Sequence, residues 1–281
     1  MSDVAEARRF YARLLAAQAA STDPRIEQAF AEVPRENFLG PGPWRIVVTP
    51  WSGKAGSGMV TTPSADPAYV YRNALVALDA DKGINNGEPL LHAMWMAKAA
   101  PRPGEMACHI GAGTGYYSAL LSLLVSPGGT VTAFEIEPEL AARAARNLAP
   151  YPNVKVVHGD AVKLDLLPSD VIYVNAGVAV PPLSWLAALR PGGRLVFPWR
   201  PTDKVALAVL VTRTEAGFAC EAFMRSWFIP CVGAAEAVGA PLLPTRESAA
   251  KIRSLWPGRE REPDDSAVAI FENVWFSSAP L

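Results

Sequence analysis

The chain has 281 residues, which is enough for one large domain with an extension or for two small domains. Half of the residues are hydrophobic and 19% are charged, a composition that is typical of a globular protein and excludes a disordered one. The formal net charge is -1 and no long Lys/Arg run is present, so the broad basic surface of a nucleic-acid-binding protein is not expected.

The N-terminal region is predicted to contain two helices. Residues 5–20 are rich in Ala, Leu and Arg, and Phe10, Leu14 and Leu15 recur at helical spacing, which indicates an amphipathic helix. A second helix should follow Asp23, because Asp can cap a helix and the next residue, a proline, suits its first turn.

An irregular segment follows at residues 40–67, where Gly, Pro, Ser, Thr and Trp dominate and only a short strand at residues 45–49 is predicted. Long loops of this kind in a compact domain are often functional. Residues 89–100 form a further predicted helix, which the Pro-Arg-Pro-Gly sequence at 101–104 ends.

From residue 106 onwards short apolar strands alternate with helices. The predicted strands are 106–110, 130–136, 154–157, 171–174 and 194–198, and the predicted helices are 116–124, 138–148 and 182–189. This alternation favours the α/β class, with a Rossmann-like, doubly wound and mostly parallel sheet covered on both faces. Ligands of such sheets bind beyond the carboxyl ends of the strands.

The alternation ends after Trp199. Residues 205–212 and 218–228 are predicted to be consecutive strands that add to the sheet edge in an antiparallel direction, and the tail has a predicted helix at 248–255 and a strand at 268–276. We therefore predict three parts: 1–100, a helical and loop region that forms part of the acceptor site; 101–232, the Rossmann-like cofactor domain; and 233–281, a C-terminal extension.

A glycine-rich turn joins the first core strand to the next helix. It comprises Gly111, Gly113 and Gly115, preceded by His109. Glycines here permit positive φ and a close approach of a ligand to the backbone. A dinucleotide fingerprint would place its third glycine at position 116, which is Tyr, so a pyrophosphate site is disfavoured. A Gly-x-Gly-x-Gly turn suits S-adenosylmethionine, which has no phosphates, although a purely structural turn is the alternative.

Three strand ends supply further candidate cofactor-binding residues. Glu135, followed by Ile136, ends the second strand about 20 residues beyond the glycines, where an acid can accept both ribose hydroxyls. Asp160, followed by Ala161, is placed to bind an adenine amino group, and Asn175 to hold the methionine ammonium or the acceptor. The alternatives are a charge preceding a helix for Glu135, a helix cap for Asp160 and a turn for Asn175.

These segments resemble the class I S-adenosylmethionine-dependent methyltransferases, and several resemble the protein-L-isoaspartate O-methyltransferase family. Residues 33–38, Val-Pro-Arg-Glu-Asn-Phe, are similar to that family's Val-Pro-Arg-Glu-x-Phe segment, and residues 225–231 are similar to its carboxyl-side Val-x-Phe-Val-Pro-Leu strand. Residues 108–120 and 170–198 resemble motifs that many methyltransferases share. The resemblance covers residues 25–232.

One segment departs from the family's pattern. Members carry Thr-Ile-Ser-x-Pro, whose hydroxyls meet the acceptor carboxylate, whereas residues 85–89 read Asn-Asn-Gly-Glu-Pro, with Gly87 in place of the Ser. The resemblance still implies that Asn86, Gly87 and Glu88 form the catalytic segment. It implies S-adenosylmethionine as cofactor and carboxyl O-methylation of a peptide or protein acid of isoaspartyl type.

Other functions stay open at this point. An enzyme of the same fold could act on a small metabolite or a modified peptide, and a non-catalytic protein could keep the adenosyl pocket as an adaptor. A carboxylate needs no base, whereas an amine or alcohol acceptor would, with His92, His109 or Glu88 as candidates. A structural histidine is the favoured interpretation of His92 and His109.

The remaining sequence features concern location and partners. Three scattered cysteines give no disulfide framework, and neither a secretory signal nor a membrane-spanning stretch is expected, so a cytoplasmic protein is predicted. The partner is predicted to be a peptide, protein or small-molecule acceptor, without membrane or nucleic acid. Scattered His and Cys residues favour no metal site, and nothing in the sequence indicates an oligomeric state.

Overall fold

The structure is a computed structural model that describes residues 3–48, 58–258 and 260–281. Its helices are α1 Val4–Gln18, α2 Pro24–Glu32, α3 Pro89–Ala99, α4 Tyr116–Leu124, α5 Pro138–Asn147, α6 Leu183–Ala188 and α7 Arg246–Ala249. Its strands are β1 Arg45–Val48, β2 Gly58–Thr61, β3 Ala77–Asp79, β4 Ile84–Asn85, β5 Met106–Ile110, β6 Thr130–Glu135, β7 Val154–His158, β8 Ser169–Val174, β9 Leu189–Thr202, β10 Val205–Thr214, β11 Gly217–Arg225, β12 Ser254–Pro257, β13 Ala267–Ile270 and β14 Val274–Ser277. Short 3-10 helices span Arg35–Phe38 and Pro67–Val70.

A ten-stranded sheet organises the fold, in the order β13-β14-β12-β11-β10-β9-β8-β5-β6-β7. Strands β5 to β9 are parallel to their neighbours within this group, and β10 and β11 are antiparallel. The predicted Rossmann-like α/β class with antiparallel additions is therefore confirmed. Because β5 lies between β6 and β8, the chain reverses its direction of winding at β5, which is where ligands bind in such sheets.

Alternation along the central strands separates two cores. Ala107 of β5 and Tyr173 of β8 pack with α1 to α4 on one face of the sheet, whereas Cys108 and Ile172 pack with α6 and the tail on the other. Successive residues of a strand point to opposite faces, so apolar runs in β5 and β8 supply both cores at once.

The two N-terminal helices lie where they were predicted, but the buried face of α1 differs from the predicted apolar face. Asp23 accepts a hydrogen bond from the backbone of Arg25 at 3.0 Å and so caps α2. In α1 the buried face contains Leu15 together with Tyr11, whereas Phe10 and Leu14 are exposed. The apolar spacing thus predicted the helix correctly but assigned two residues to the wrong face.

The tail continues the main sheet. The predicted helix at 248–255 was wrong in extent: α7 ends at Ala249, because residues 254–257 pair as β12 with β11 and β14. Trp275 and Phe276 of β14 are buried, and the Phe276 ring lies 4.4 Å from that of Trp199. The division into 1–100, 101–232 and 233–281 stays a prediction.

The predicted strand at 45–49 corresponds to β1, which pairs with β2 in a separate two-stranded sheet. Thr49 lies outside the described residues. A second small sheet, formed by β3 and β4, was not predicted. It is a short hairpin that places residues 83–88 next to the carboxyl ends of the central strands.

Candidate active site

A cavity of about 1100 Å³ opens at the carboxyl ends of the parallel strands. Ten of the predicted site residues line it: Asn86, Gly87, Glu88, Gly111, Gly113, Glu135, Ile136, Asp160, Ala161 and Asn175. The other two, His109 and Gly115, are not among the lining residues. A site for one drug-sized ligand usually measures about 300–1,000 Å³, so this cavity has room for a nucleoside and part of an acceptor together.

The glycine turn needs its glycines for different reasons. Gly111, Gly113 and Gly115 all have positive φ, at +76°, +57° and +97°. A side chain at Gly115 would place its Cβ 2.7 Å from Cδ1 of Leu148, so Gly115 serves the packing of the turn against the end of α5. Gly111 and Gly113 face the cavity, where the lack of a side chain leaves the backbone accessible to a ligand.

Glu135 is anchored at the base of this turn. Its carboxylate accepts a hydrogen bond from the backbone N–H of Gly113 at 2.6 Å and another from that of Glu137 at 2.9 Å. Burial raises the pKa of Glu135, and these two backbone donors oppose that rise. The result is a fixed, partly desolvated carboxylate that lines the cavity and can accept further donors such as sugar hydroxyls.

Asp160 and Asn175, which line the cavity, each have a buried side-chain oxygen that accepts no hydrogen bond within the described residues. Asp160 binds the backbone N–H of Val162 through Oδ1, but its Oδ2 accepts no hydrogen bond and lies 3.5 Å from the Lys163 ammonium. Oδ1 of Asn175 is likewise unpartnered. Unsatisfied buried acceptors are costly, so both atoms are suited to a ligand that brings donors such as an amino or ammonium group.

His109 acts behind Asn175 rather than in the cavity. The Asn175 amide donates to Nε2 of His109 at 2.9 Å, and Nδ1 of His109 lies 2.7 Å from the Ser118 hydroxyl. Burial lowers the pKa of His109 to about 3, so the ring is neutral and holds the Asn175 side chain in place. The structural interpretation of this histidine agrees with its position in the core.

The two sides of the cavity carry opposite charge. Glu135, Glu137 and Asp160 line the side formed by β6 and β7. On the far side, the described lining residues include three cations, Lys204, Arg225 and Arg246, and one acid, Asp203. β6 and β10 are four strands apart in the sheet, which corresponds to about 19 Å at about 4.8 Å per strand. The cavity can therefore favour a cation at one end and an anion at the other.

The segment that departs from the family's pattern lies between these two sides. Gly87 has φ +68°, and a Cβ there would lie 2.5 Å from Nε2 of His92 and 3.2 Å from the Tyr117 ring. The His92 and Tyr117 rings are stacked with centroids 3.5 Å apart. A serine cannot stand at position 87 while His92 occupies this place, which is the physical reason for the glycine.

Asn86 and Glu88 differ in their surroundings. Asn86 is buried, and its side-chain oxygen accepts a hydrogen bond from Arg35 at 3.1 Å. Glu88 is exposed at the start of α3. The amide of Asn86 therefore serves the conformation of the segment, and Glu88 lies at the solvent side of the cavity.

Arg35 fixes the conformation of residues 86–87 by hydrogen bonds, a role that the sequence did not predict. It is fully buried, and its guanidinium makes five hydrogen bonds of 2.8–3.2 Å, to the carbonyls of Val70, Arg72, Ala74 and Gly87 and to the Asn86 amide. All five donors of a guanidinium are thus used. The one sequence signal was the Val-Pro-Arg-Glu-Asn-Phe segment itself, which carries Arg35 but not its partners.

The β3–β4 hairpin covers the glycine turn. Leu78 would lie 3.7 Å from a Cβ at Gly113, and Lys82 forms an ion pair with Glu137 at the cavity rim. The hairpin therefore contacts the glycine turn through Leu78 and the segment after β6 through Lys82.

Comparison with known proteins places this chain in a family. The family model described as Protein-L-isoaspartate(D-aspartate) O-methyltransferase matches residues 60–236. A protein-L-isoaspartate O-methyltransferase 2 of Anaeromyxobacter is 31% identical over 80% of this chain and 82% of its own length. One from Methanopyrus kandleri is 39% identical over 69% of this chain and 76% of its own length. The chain belongs to this family.

Two solved structures support the fold. A protein-L-isoaspartate O-methyltransferase superposes with a TM-score of 0.67 at 21% identity, over 96% of this chain and 86% of the other. A Plasmodium falciparum structure described as a beta-aspartate methyltransferase in complex with S-adenosyl-L-homocysteine superposes with a TM-score of 0.62 at 16% identity, over 80% of this chain and 97% of the other.

Family membership confirms the predictions of an S-adenosylmethionine-dependent methyltransferase and of its cofactor. The residues present fit that cofactor. Glu135 supplies a buried carboxylate, and Asp160 and Asn175 each supply an oxygen that accepts no hydrogen bond from the described residues, which suits a cationic nucleoside without phosphates.

In the described part of the chain no helix is both long and apolar enough to cross a bilayer. All three cysteines are buried and free, and burial raises their pKa values.

Proposed function

We propose that this protein methylates the free α-carboxylate of isoaspartyl residues in peptides and proteins. The observation that carries the proposal is the cavity itself, in which an acidic cofactor side and a basic far side meet at the segment containing Gly87. When bound, S-adenosylmethionine supplies a methyl group that is already activated on a sulfonium. The chain's own residues then have to bind, orient and exclude water.

The acidic side is proposed to hold the cofactor. Glu135 accepts the ribose hydroxyls, with Ile136 beside it, and Oδ2 of Asp160, with Ala161, accepts the adenine amino group. Oδ1 of Asn175 accepts the methionine ammonium, and the backbone at Gly111 and Gly113 lies along the methionine end. His109 and Gly115 contribute indirectly, through the orientation of Asn175 and the packing of the turn.

The far side is proposed to take the acceptor. Lys204, Arg225 and Arg246 outnumber Asp203, so this rim attracts an acidic peptide and favours the ionised carboxylate. A carboxylate at neutral pH needs no base, because it is already deprotonated. The buried groups next to Gly87 agree with this: burial lowers the pKa of His92 and raises that of Tyr117, so neither is a good proton acceptor at neutral pH.

Charge at the rim also argues against a cationic acceptor. An amine that approaches as an ammonium would have to pass three cations and then lose a proton to a neutral imidazole with a lowered pKa. The carboxylate needs neither step. We further propose that the protein works in the cytoplasm, where protein acceptors and the reduced state of its thiols are both available.

Incubation with methyl-labelled S-adenosylmethionine tests the proposal. An isoaspartyl peptide is the substrate, and the matched peptide with an ordinary aspartyl residue is the control. We expect a base-labile methyl ester on the isoaspartyl peptide only. Equal labelling of both peptides, or labelling that resists base, refutes the isoaspartyl acceptor, and transfer to small acids alone indicates a metabolite enzyme. Cofactor binding without any transfer indicates an adaptor.

A further inference from the structure

His92 stands where a side chain at position 87 would otherwise lie. The ideal Cβ of residue 87 would be 2.5 Å from Nε2 of His92 and 3.0 Å from its Cδ2. The imidazole edge thus fills the space into which a serine side chain would project. Both Gly87 and His92 line the cavity, so this edge faces the region between the cofactor side and the basic rim.

The hydrogen bond behind the ring selects its tautomer. Nδ1 of His92 lies 2.9 Å from the Tyr173 hydroxyl, and both residues are almost completely buried. Among the described residues that hydroxyl has no other hydrogen-bond partner, so Tyr173 must donate to Nδ1 or leave its own proton unsatisfied in the core. Nδ1 therefore accepts, and the neutral ring carries its proton on Nε2.

The Nε2–H has no hydrogen-bond acceptor within residues 3–48, 58–258 and 260–281. Its ring is fixed from three sides, by stacking on Tyr117, by Tyr173, and by Phe228 at a centroid distance of 5.9 Å. A donor that is held in a fixed position beside the cavity and has no acceptor from the chain is available to a ligand that supplies one. A carboxylate oxygen is such an acceptor.

We propose that the Nε2–H of His92 donates a hydrogen bond to the acceptor carboxylate, in place of the serine hydroxyl that the family's Thr-Ile-Ser segment provides. The inference rests on the proposed function and deepens it. Gly87 makes the space for the ring, His92 touches the substrate, and Tyr173 is a positioning residue that holds the tautomer.

Two substitutions at one position test the donor. His92→Leu removes the N–H at similar volume, and His92→Gln keeps an N–H near the same place. We expect His92→Leu to lower kcat/KM for the isoaspartyl peptide about 10- to 100-fold, because a hydrogen bond to a charged group is lost, with adenosylhomocysteine affinity unchanged. His92→Gln should recover most of this loss. His158→Gln, at the exposed third histidine of the chain, serves as the matched control and should match the wild type.

Equal kcat/KM in the His92→Leu variant and the wild type, or equal loss in the Leu and Gln variants, overturns the proposal. A measurement on the unaltered protein keeps it testable if the variants do not fold. The chain has only three histidines, so their ring 15N signals can be assigned with the His158→Gln and His109→Asn variants, each of which removes one set of signals. We expect His92 to show the Nε2–H tautomer.

The same spectra separate this proposal from the proposed function. With adenosylhomocysteine present, the isoaspartyl peptide should shift the His92 Nε2 signal and the matched aspartyl peptide should not. If the wild-type protein forms no methyl ester on the isoaspartyl peptide, the proposed function fails by the activity assay. An unmoved Nε2 signal on saturation with the isoaspartyl peptide overturns the role of His92, whatever the activity assay shows.

Discussion

Arg35 allows the most direct test of how residues 86–88 are held in place. Arg35→Lys keeps the positive charge but replaces five donors in a planar group by three donors on one nitrogen. At least two of the five oxygen acceptors then lose their partner, and each buried acceptor left unpaired costs about 1–3 kcal/mol. Three of the five bonds are fully buried. We therefore expect the free energy of unfolding to fall by about 2–6 kcal/mol.

Urea denaturation followed by fluorescence measures this loss, and Arg25→Lys is the matched control. Arg25 also bonds two backbone carbonyls, of Leu124 and Pro101, but its side chain is 33% exposed, so water can replace the lost donors. The control should lose less than about 1 kcal/mol. A second readout is the KM for the isoaspartyl peptide, which should rise in the Arg35 variant more than the dissociation constant for adenosylhomocysteine. A free energy of unfolding within about 0.5 kcal/mol of the wild type would refute the reasoning.

Three further predictions concern the cofactor side, the buried histidines and the tail. Glu135→Gln should weaken adenosylhomocysteine binding about 10- to 100-fold, as measured by calorimetry. In the wild type, the affinity for adenosylhomocysteine should fall as the pH drops through the raised pKa of Glu135, because a protonated carboxyl group is a poor hydrogen-bond acceptor. An affinity that does not change with pH would contradict this. His92 and His109 have lowered pKa values, so their rings stay neutral in the native state at a pH where the same rings take up protons in the unfolded chain. The contribution of these two rings to the free energy of unfolding is therefore complete above about pH 6.5 and is lost as the pH falls. His109→Asn should accordingly reduce the loss of unfolding free energy between pH 6 and pH 5 by roughly 1 kcal/mol, and an unchanged slope counts against it. Phe276→Ala should lower the free energy of unfolding by about 3–5 kcal/mol, because the fully buried ring packs on Trp199. A decrease below about 1 kcal/mol in urea denaturation would mean that residues 233–281 contribute little to the stability of the fold.

The cofactor side was predictable because its residues follow strand ends. Glu135, Asp160 and Asn175 each come directly after or at the end of a parallel strand, and parallel strands present these ends at one edge of the sheet. Gly111 and Gly113 belong to the turn after β5 and reach the same edge. Short-range patterns were therefore sufficient to bring five lining residues together, although their ligand contacts stay predictions.

The acceptor side could not be predicted in the same way. Arg35 bonds oxygens 35 to 52 residues away, and such partners leave no local spacing to read. His92 was interpreted as structural because it lies in an apolar helix, and it is indeed buried with Tyr173, but it also lines the cavity. The same applies to the hairpin that covers the turn, since β3 and β4 are too short for a periodic signal.

Local chemistry alone was enough for the fold class, the cofactor type and the polar residues at the strand ends, because alternating strands and helices with a glycine turn allow few arrangements. Packing decided the rest. The five hydrogen bonds of Arg35, the contact of His92 with Tyr173 and the continuation of the sheet through β14 all depend on residues far apart in the chain. The free energy that selects these contacts comes from burial and hydrogen bonds that exist only once distant segments have met.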